Sequence, residues 1–271
     1  MSPIIRDFLG VSLAVFLAVV AGAGAVRGQN VSLPDDELAV IGEKIFNNEC
    51  GGKSACLVSW NEGEDFASLG IGHFIWYPWG RDRVFHESFP ELVEFFKTQG
   101  VALPGWLNAS PMPLCPWSNR QDFLMNGDNP WGRDLHNLLA ATRSQQTLFI
   151  IRRLDQALPK MLDTVDAEKR RDIREKFERV SRVPGGWYAL ADYVNFKGEG
   201  TKIEERYEGR GWGLLQVLEE MDGSVPDGDL LKEFSSAADR VLSRRVRNAP
   251  AKRDEDRWLP GWRNRVATYA P

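Results

Sequence analysis

The sequence predicts a mainly α (α+β) protein in which one small β-hairpin lobe packs on a helical domain. Three observations carry that prediction. Apolar residues recur at helical spacing along most of the chain. A single stretch, Cys56 to Gly72, reads instead as strand, turn and strand. The 43% of hydrophobic residues is enough to build an ordinary core for one large domain over 31–271.

The first segment sets the compartment. Arg6 is followed by the apolar run Phe8 to Val20 and by the small residues Ala21-Gly22-Ala23-Gly24-Ala25. This is the pattern of a secretory signal peptide over residues 1–25, and it predicts a secreted or periplasmic protein. The run is short of the roughly 20 residues a membrane span needs, and no later stretch is long and apolar enough, so no stable membrane span is expected after cleavage.

Ser32-Leu33-Pro34-Asp35 marks a helix start with Asp35 as N-cap, and Leu38, Ile41 and Ile45 follow at helical spacing. Gly51-Gly52 stops that helix, so Glu49 falls in its last turn. Cys56 to Trp60 reads as a strand, Asn61-Glu62-Gly63-Glu64 as a turn, and Phe66 to Gly72 as the return strand. A short helix spans Pro90 to Gln99. Residues 101–133, rich in Pro, Gly, Asn and Trp, read as a long loop-rich insertion. Ile151, Leu154, Leu158 and Met161 mark one helix face that Pro159 should kink or end, and Ile173, Phe177 and Val180 mark the next. Gly185-Gly186 breaks the chain, and further helices are expected at 211–221, 228–246 and 258–269. There is no internal repeat.

Composition excludes some functions. A formal net charge of −4 argues against a nucleic-acid partner. The C-terminal part is locally basic, with Arg240, Arg244, Arg245, Arg247, Lys252, Arg253, Arg257, Arg263 and Arg265. A solvated helix face outweighs a docking patch for an anionic wall polymer as its reading. In an oxidising compartment Cys50 and Cys56 are expected to close a small loop after Glu49, leaving Cys115 as a free thiol. His73, His86 and His136 are scattered, so neither a metal nor a cofactor is expected.

Glu49, Glu62 and the run Ser68-Leu69-Gly70-Ile71-Gly72-His73 bring two carboxylates and a glycine-rich strand close together in the chain. Two carboxylates across a cleft are what acid-assisted glycosidic cleavage needs. The stretch resembles the active-site segment of phage-type lysozymes (endolysins). That resemblance implies a lysozyme-like fold and a peptidoglycan or related N-acetylhexosamine polysaccharide as partner. It makes Glu49 the general acid, Glu62 the second carboxylate and Ser68 the hydroxyl that holds a water. Glu64 and Asp65 are substitutes for Glu62. A helix C-terminus suits Glu49 to its role, because the negative end of the dipole disfavours the ionised form. His73 is expected to brace the hairpin.

Later segments resemble other lysozyme-like enzymes. Tyr207-Glu208-Gly209-Arg210-Gly211 is similar to a stretch of plant-type chitinases, and Gly213-Leu214-Leu215-Gln216 to one of lytic transglycosylases. Both suggest a helix N-terminus lining the cleft, with Tyr193, Asn195 and Gln216, and also Lys197 and Glu199, bonding N-acetyl groups. Gly261-Trp262-Arg263-Asn264-Arg265 resembles a structural run that closes many endolysin domains. Of the ten tryptophans, Trp79, Trp106, Trp117 and Trp131 are the candidates for stacking on sugar. The leading expectation is a hydrolase of peptidoglycan strands (muramidase-like). A lytic transglycosylase, a chitinase or chitosanase, and a non-catalytic glycan-binding envelope protein are the alternatives.

Overall fold

The computed structural model describes residues 33–270. The signal-peptide reading of residues 1–25 lies outside the described residues. The architecture is mostly helical, with a small antiparallel sheet on one side.

Helix α1 runs Asp35–Cys50, with Pro34 rather than Asp35 at the N-cap. Asp35, Asp36 and Glu37 therefore occupy the first turn, where their charges complement the helix dipole. Leu38, Ile41, Ile45 and Phe46 are buried on the face that meets the central helix α5 (Arg143–Asp163). Each such side chain contributes roughly 1.5–3 kcal/mol by leaving water. Gly51 ends α1 in the left-handed conformation, its N–H donating to the Asn47 carbonyl.

The predicted hairpin is a three-stranded meander: β1 (Val58–Ser59), β2 (Ala67–Leu69) and β3 (Phe74–Trp76), in that order. The return strand stops at Leu69 because Gly70 and His73 both adopt positive φ and turn the chain back. The third strand follows from that reversal. Gln146, fully buried on α5, pins the turn: its Oε1 accepts from the Ile71 N–H (2.9 Å) and its Nε2 donates to the Leu139 carbonyl (2.7 Å). A side chain at Gly70 would meet that Gln146 oxygen at 2.3 Å.

Helix α2 (Phe89–Thr98) matches expectation. The expected insertion at 101–133 is shorter than its composition suggests. Helix α3 (Arg120–Asn126) and the start of α4 (Pro130–Ala141) occupy its second half. Asn119 and Asn129 cap them by accepting from the N–H groups of Asp122 and Gly132. Their polar composition hid the helical period.

Pro159 does not end α5. The helix continues to Asp163 because Met161 and Leu162, both buried, hold the last turn after the lost hydrogen bond. Helices α6 (Ala167–Arg182) and α7 (Gly186–Lys197) follow, then the two-stranded hairpin β4 (Arg206–Tyr207) and β5 (Arg210–Gly211). Glu208 and Gly209, both at positive φ, form its two-residue turn. The chain closes with α8 (Leu214–Glu220), α9 (Leu230–Asn248) and α10 (Leu259–Ala267). Side chains of α1, the sheet, α5, α7 and α9 join one contiguous apolar cluster. No helix of the described residues is long and apolar enough to cross a membrane.

The closest approach of α1 and α5 is set by Gly42, where an added Cβ would lie 2.3 Å from Thr147 Oγ1. Gly42→Ala should therefore lower stability by about 1–3 kcal/mol, although alanine is the better helix former. Adding Thr147→Ala should recover most of the loss in urea melts. A Gly42→Ala protein as stable as the parent would show that the two helices have room to part.

Candidate functional site

The last turn of α1 presents Asn48 and Glu49 to helix α7, against which α1 packs. On α7, Tyr188, Asp192 and Asn195 are spaced by four and three residues and so share one face. The end of α10 and the residues after it add Arg265, Thr268 and Tyr269.

These groups form one network around a fully buried carboxylate. Asp192 accepts from Arg265 Nε (2.8 Å), Arg265 Nη2 (2.8 Å), Tyr269 Oη (2.7 Å) and Asn48 Nδ2 (3.2 Å). Arg265 Nη2 also donates to Glu49 Oε1 at 2.6 Å, and Asn195 Nδ2 donates to the same oxygen at 3.0 Å. On the other side, His73 Nδ1 lies 3.4 Å from Glu49 Oε2. Burial alone would lower the Arg265 pKa, but the carboxylates of Asp192 and Glu49 reverse that and raise it. Burial, then the Asp192 charge, raise the Tyr269 hydroxyl, which keeps it a donor. Removing Arg265 would leave Asp192 charged and unpaired in the interior, a loss of about 3–5 kcal/mol.

Cys50 and Cys56 are disulfide-bonded, as expected, and Cys115 is a free cysteine. Burial pushes the Cys115 thiol up to about 12, so it is inert as a nucleophile. The disulfide ties the end of α1 to the 3-10 turn (Ser54–Leu57) that leads into β1, and Cys56 Sγ lies 3.1 Å from His73 Nε2. His73 therefore bridges the disulfide and Glu49. Among the described residues, Cys50, Cys56 and His73 are the group spaced like metal ligands, but the disulfide engages both sulfurs.

Ser68 is buried on β2, and its hydroxyl donates to Glu64 Oε2 at 3.3 Å. Asn61 Nδ2 holds the same oxygen at 3.1 Å. Glu62 is exposed on the turn, with no side-chain partner among the described residues. Asp65 is exposed and 3.6 Å from Arg81. The sheet register pairs Ser68 with Ile75, so both side chains share one face. Ile75 lines a cavity of about 210 Å³ together with His73, Asn195 and Glu199. A second cavity, of about 410 Å³, shares His86, Arg153, Val194 and Glu199 with it, and the two form one cleft. Glu49, largely buried, does not line that cleft itself but contacts two residues that do, His73 and Asn195.

Of the residues expected to bind sugar, Asn195 is in this site. Tyr193 is not: it is fully buried, and its hydroxyl donates to the Trp212 carbonyl at 2.9 Å. Gln216 is also a brace. It accepts from the Gly213 N–H and donates to the Gly200 carbonyl, which leaves its amide engaged at both ends. Trp117 is a core residue, Trp106 stacks on Trp76 and meets Trp131 at a tilt, and Trp79 and Trp131 are exposed. The chitinase-like stretch forms the β4–β5 hairpin, not a helix start.

Sequence reasoning missed Asp192 and gave Arg265 only a structural part. The available signal was Asp192 itself, a carboxylate between the apolar stretches Tyr188-Ala189-Leu190-Ala191 and Tyr193-Val194, which burial obliges to pair. No family model, no curated protein and no solved structure matches the chain.

Lys197, the last residue of α7, sits beside this network without a carboxylate partner among the described residues. Its Nζ lies 3.5 Å from the Trp262 ring centre and 3.9 Å from that of Phe196. Burial, helped by Arg245 and Arg265, pulls its ammonium down to about 6, against weaker opposing pulls from Glu255 and Glu49. Between about 6 and 10.5 the unfolded chain thus binds a proton that the folded chain does not, and stability rises with pH through that window. Lys197→Met should raise the melting temperature most near about pH 6, with the gain shrinking toward about pH 10. Melts giving the same gain at every pH would show that the lysine is solvated.

Proposed function

We propose that the protein is a glycoside hydrolase of lysozyme-like fold that cleaves N-acetylhexosamine strands such as those of peptidoglycan. The observation that carries this reading is the pairing of two carboxylates with one cleft. Glu49, in the last turn of α1, bonds Asn195 of the cleft wall, and Glu64, on the turn before β2, bonds Ser68, which pairs across the sheet with Ile75 of the same wall. Secretion follows from the signal-peptide pattern and agrees with the disulfide, which belongs to an oxidising compartment.

In this mechanism Glu49 gives its proton to the departing glycosidic oxygen. Arg265 is itself paired with Asp192, so the group behind Glu49 is an ion pair held in a fixed geometry. As the proton leaves, the Arg265 and Asn195 N–H groups are already aimed at the oxygen that gains charge. Glu64 is the second carboxylate in preference to Glu62, because it is the one that bonds Ser68. Ser68 and Glu64 then orient a water toward the anomeric carbon, and the Glu64 carboxylate takes its proton as the new C–O bond forms and the glycosidic bond breaks. Such a water requires carboxyl groups roughly 6.5–9.5 Å apart and gives an inverted product.

Glu49→Gln should reduce turnover by roughly 10²–10⁴-fold while the fold survives. Glu64→Gln should cost far more activity than Glu62→Gln in the same assay. The reverse order would return the second role to Glu62. Mass spectrometry of products from purified wall glycan separates the related readings: reducing ends for a hydrolase, anhydro ends for a lytic transglycosylase, and no product for a glycan-binding protein. An unchanged rate in a folded Glu49→Gln protein removes the proposal.

A further inference from the structure

The cleft holds a half-buried cation without an anion of its own. Its other charged groups are paired: His86 with Glu91 at 2.8 Å, Lys160 with Glu199 at 3.8 Å and Lys202 with Glu205 at 3.4 Å. Arg153, on α5, lines both cavities at their junction and makes no ion pair or side-chain hydrogen bond among the described residues. Glu91 and Glu199 are its nearest charged influences, and each already has the cation just named. The Arg153 stem follows the α5 face of Phe149 and Ile150, with the guanidinium carbon 5.7 Å from the Phe149 ring centre. None of its nitrogens is sealed from solvent without a partner, as Nε of Arg206 and Arg244 is, so the fork opens into the cleft.

An arginine stays charged in this setting, and holding it half-buried without a counter-ion costs stability. A planar fork facing a cavity is matched by a carboxylate, which accepts two parallel N–H bonds. We infer that Arg153 is a binding residue for a carboxylate carried by the glycan, and that the cleft selects acidic N-acetylhexosamine strands over neutral or amine-bearing ones. The inference rests on the cleft being the glycan site. The carboxylate is either an acid substituent of the sugar or part of a peptide attached to it. A neutral N-acetylglucosamine polymer would leave the guanidinium unpaired, and a glucosamine polymer would bring an ammonium toward it.

The test measures equilibrium binding and turnover of the wild-type protein, Arg153→Gln and Arg153→Lys on three glycans. These are peptide-bearing wall strands, peptide-free wall strands with free sugar carboxylates, and a neutral N-acetylglucosamine polymer. Arg153→Gln should weaken binding of acidic strands by about 10–100-fold and leave the neutral polymer unaffected. Turnover should show this as a raised KM with little change in kcat, and Arg153→Lys should fall between. Weakening on both acidic strands identifies the sugar acid, and weakening on peptide-bearing strands alone identifies the peptide. Equal losses on all three glycans, or none, would overturn the inference while hydrolysis by the wild type left the glycosidase reading intact. If no strand is cut yet Arg153→Gln still weakens acidic strands selectively, the glycosidase reading falls and the carboxylate site stands. Because a half-buried unpaired cation is removed, Arg153→Gln should melt no lower than the parent. A large drop would mean that the arginine is structural.

Discussion

The ion pair between Asp192 and Arg265 is the constraint on which the site depends. Neither group could be buried alone, since an unpaired interior charge costs several kcal/mol. Together, with the Tyr269 hydroxyl and the Asn48 amide, they satisfy one another in a fixed geometry. In that geometry Arg265 Nη2 bonds Asp192 and Glu49 together, so the orientation of Glu49 is inherited from a pair that faces away from solvent. The same pair clamps the end of α10 onto α7 and, through Asn48, onto α1.

A second constraint comes from the other side. The Cys50–Cys56 disulfide fixes the exit of α1, and the buried Gln146 amide fixes the turn that delivers His73. Glu49 is therefore held between a helical wall and a sheet wall that are anchored independently. Such double anchoring is what a site needs if its groups are to stay aimed without a ligand present.

The wall residues differ in how they meet their electrostatic needs. Glu64, Asn61 and Ser68 satisfy each other locally within the turn and strand. Lys197 and Arg153 do not. Lys197 is covered by Trp262 and Phe196, which replace part of its lost hydration, and Arg153 opens onto empty space in the cleft. The first is an internal strain of the fold, the second an unmet valence toward a ligand.

Much of the fold was legible in the residues. Helical spacing and glycine stops located α1 and placed Glu49 in its last turn, and the cysteines beside it indicated the disulfide. Alternation and turn residues located the first two strands. The third strand was not legible, because two glycines and a positive-φ histidine turn the chain where the pattern still looks extended. The choice between Glu62 and Glu64 was equally open, since both stand in one turn and only the strand register decides which reaches Ser68. Arg265 lies 216 residues from Glu49 in sequence, and Asp192 lies 73 from Arg265. Periodicity reports that a helix face is buried but not what it is buried against. Local elements were thus determined by the sequence itself, whereas the partners of each charge were decided by tertiary packing, because electrostatic pairing depends on distance in space and not along the chain.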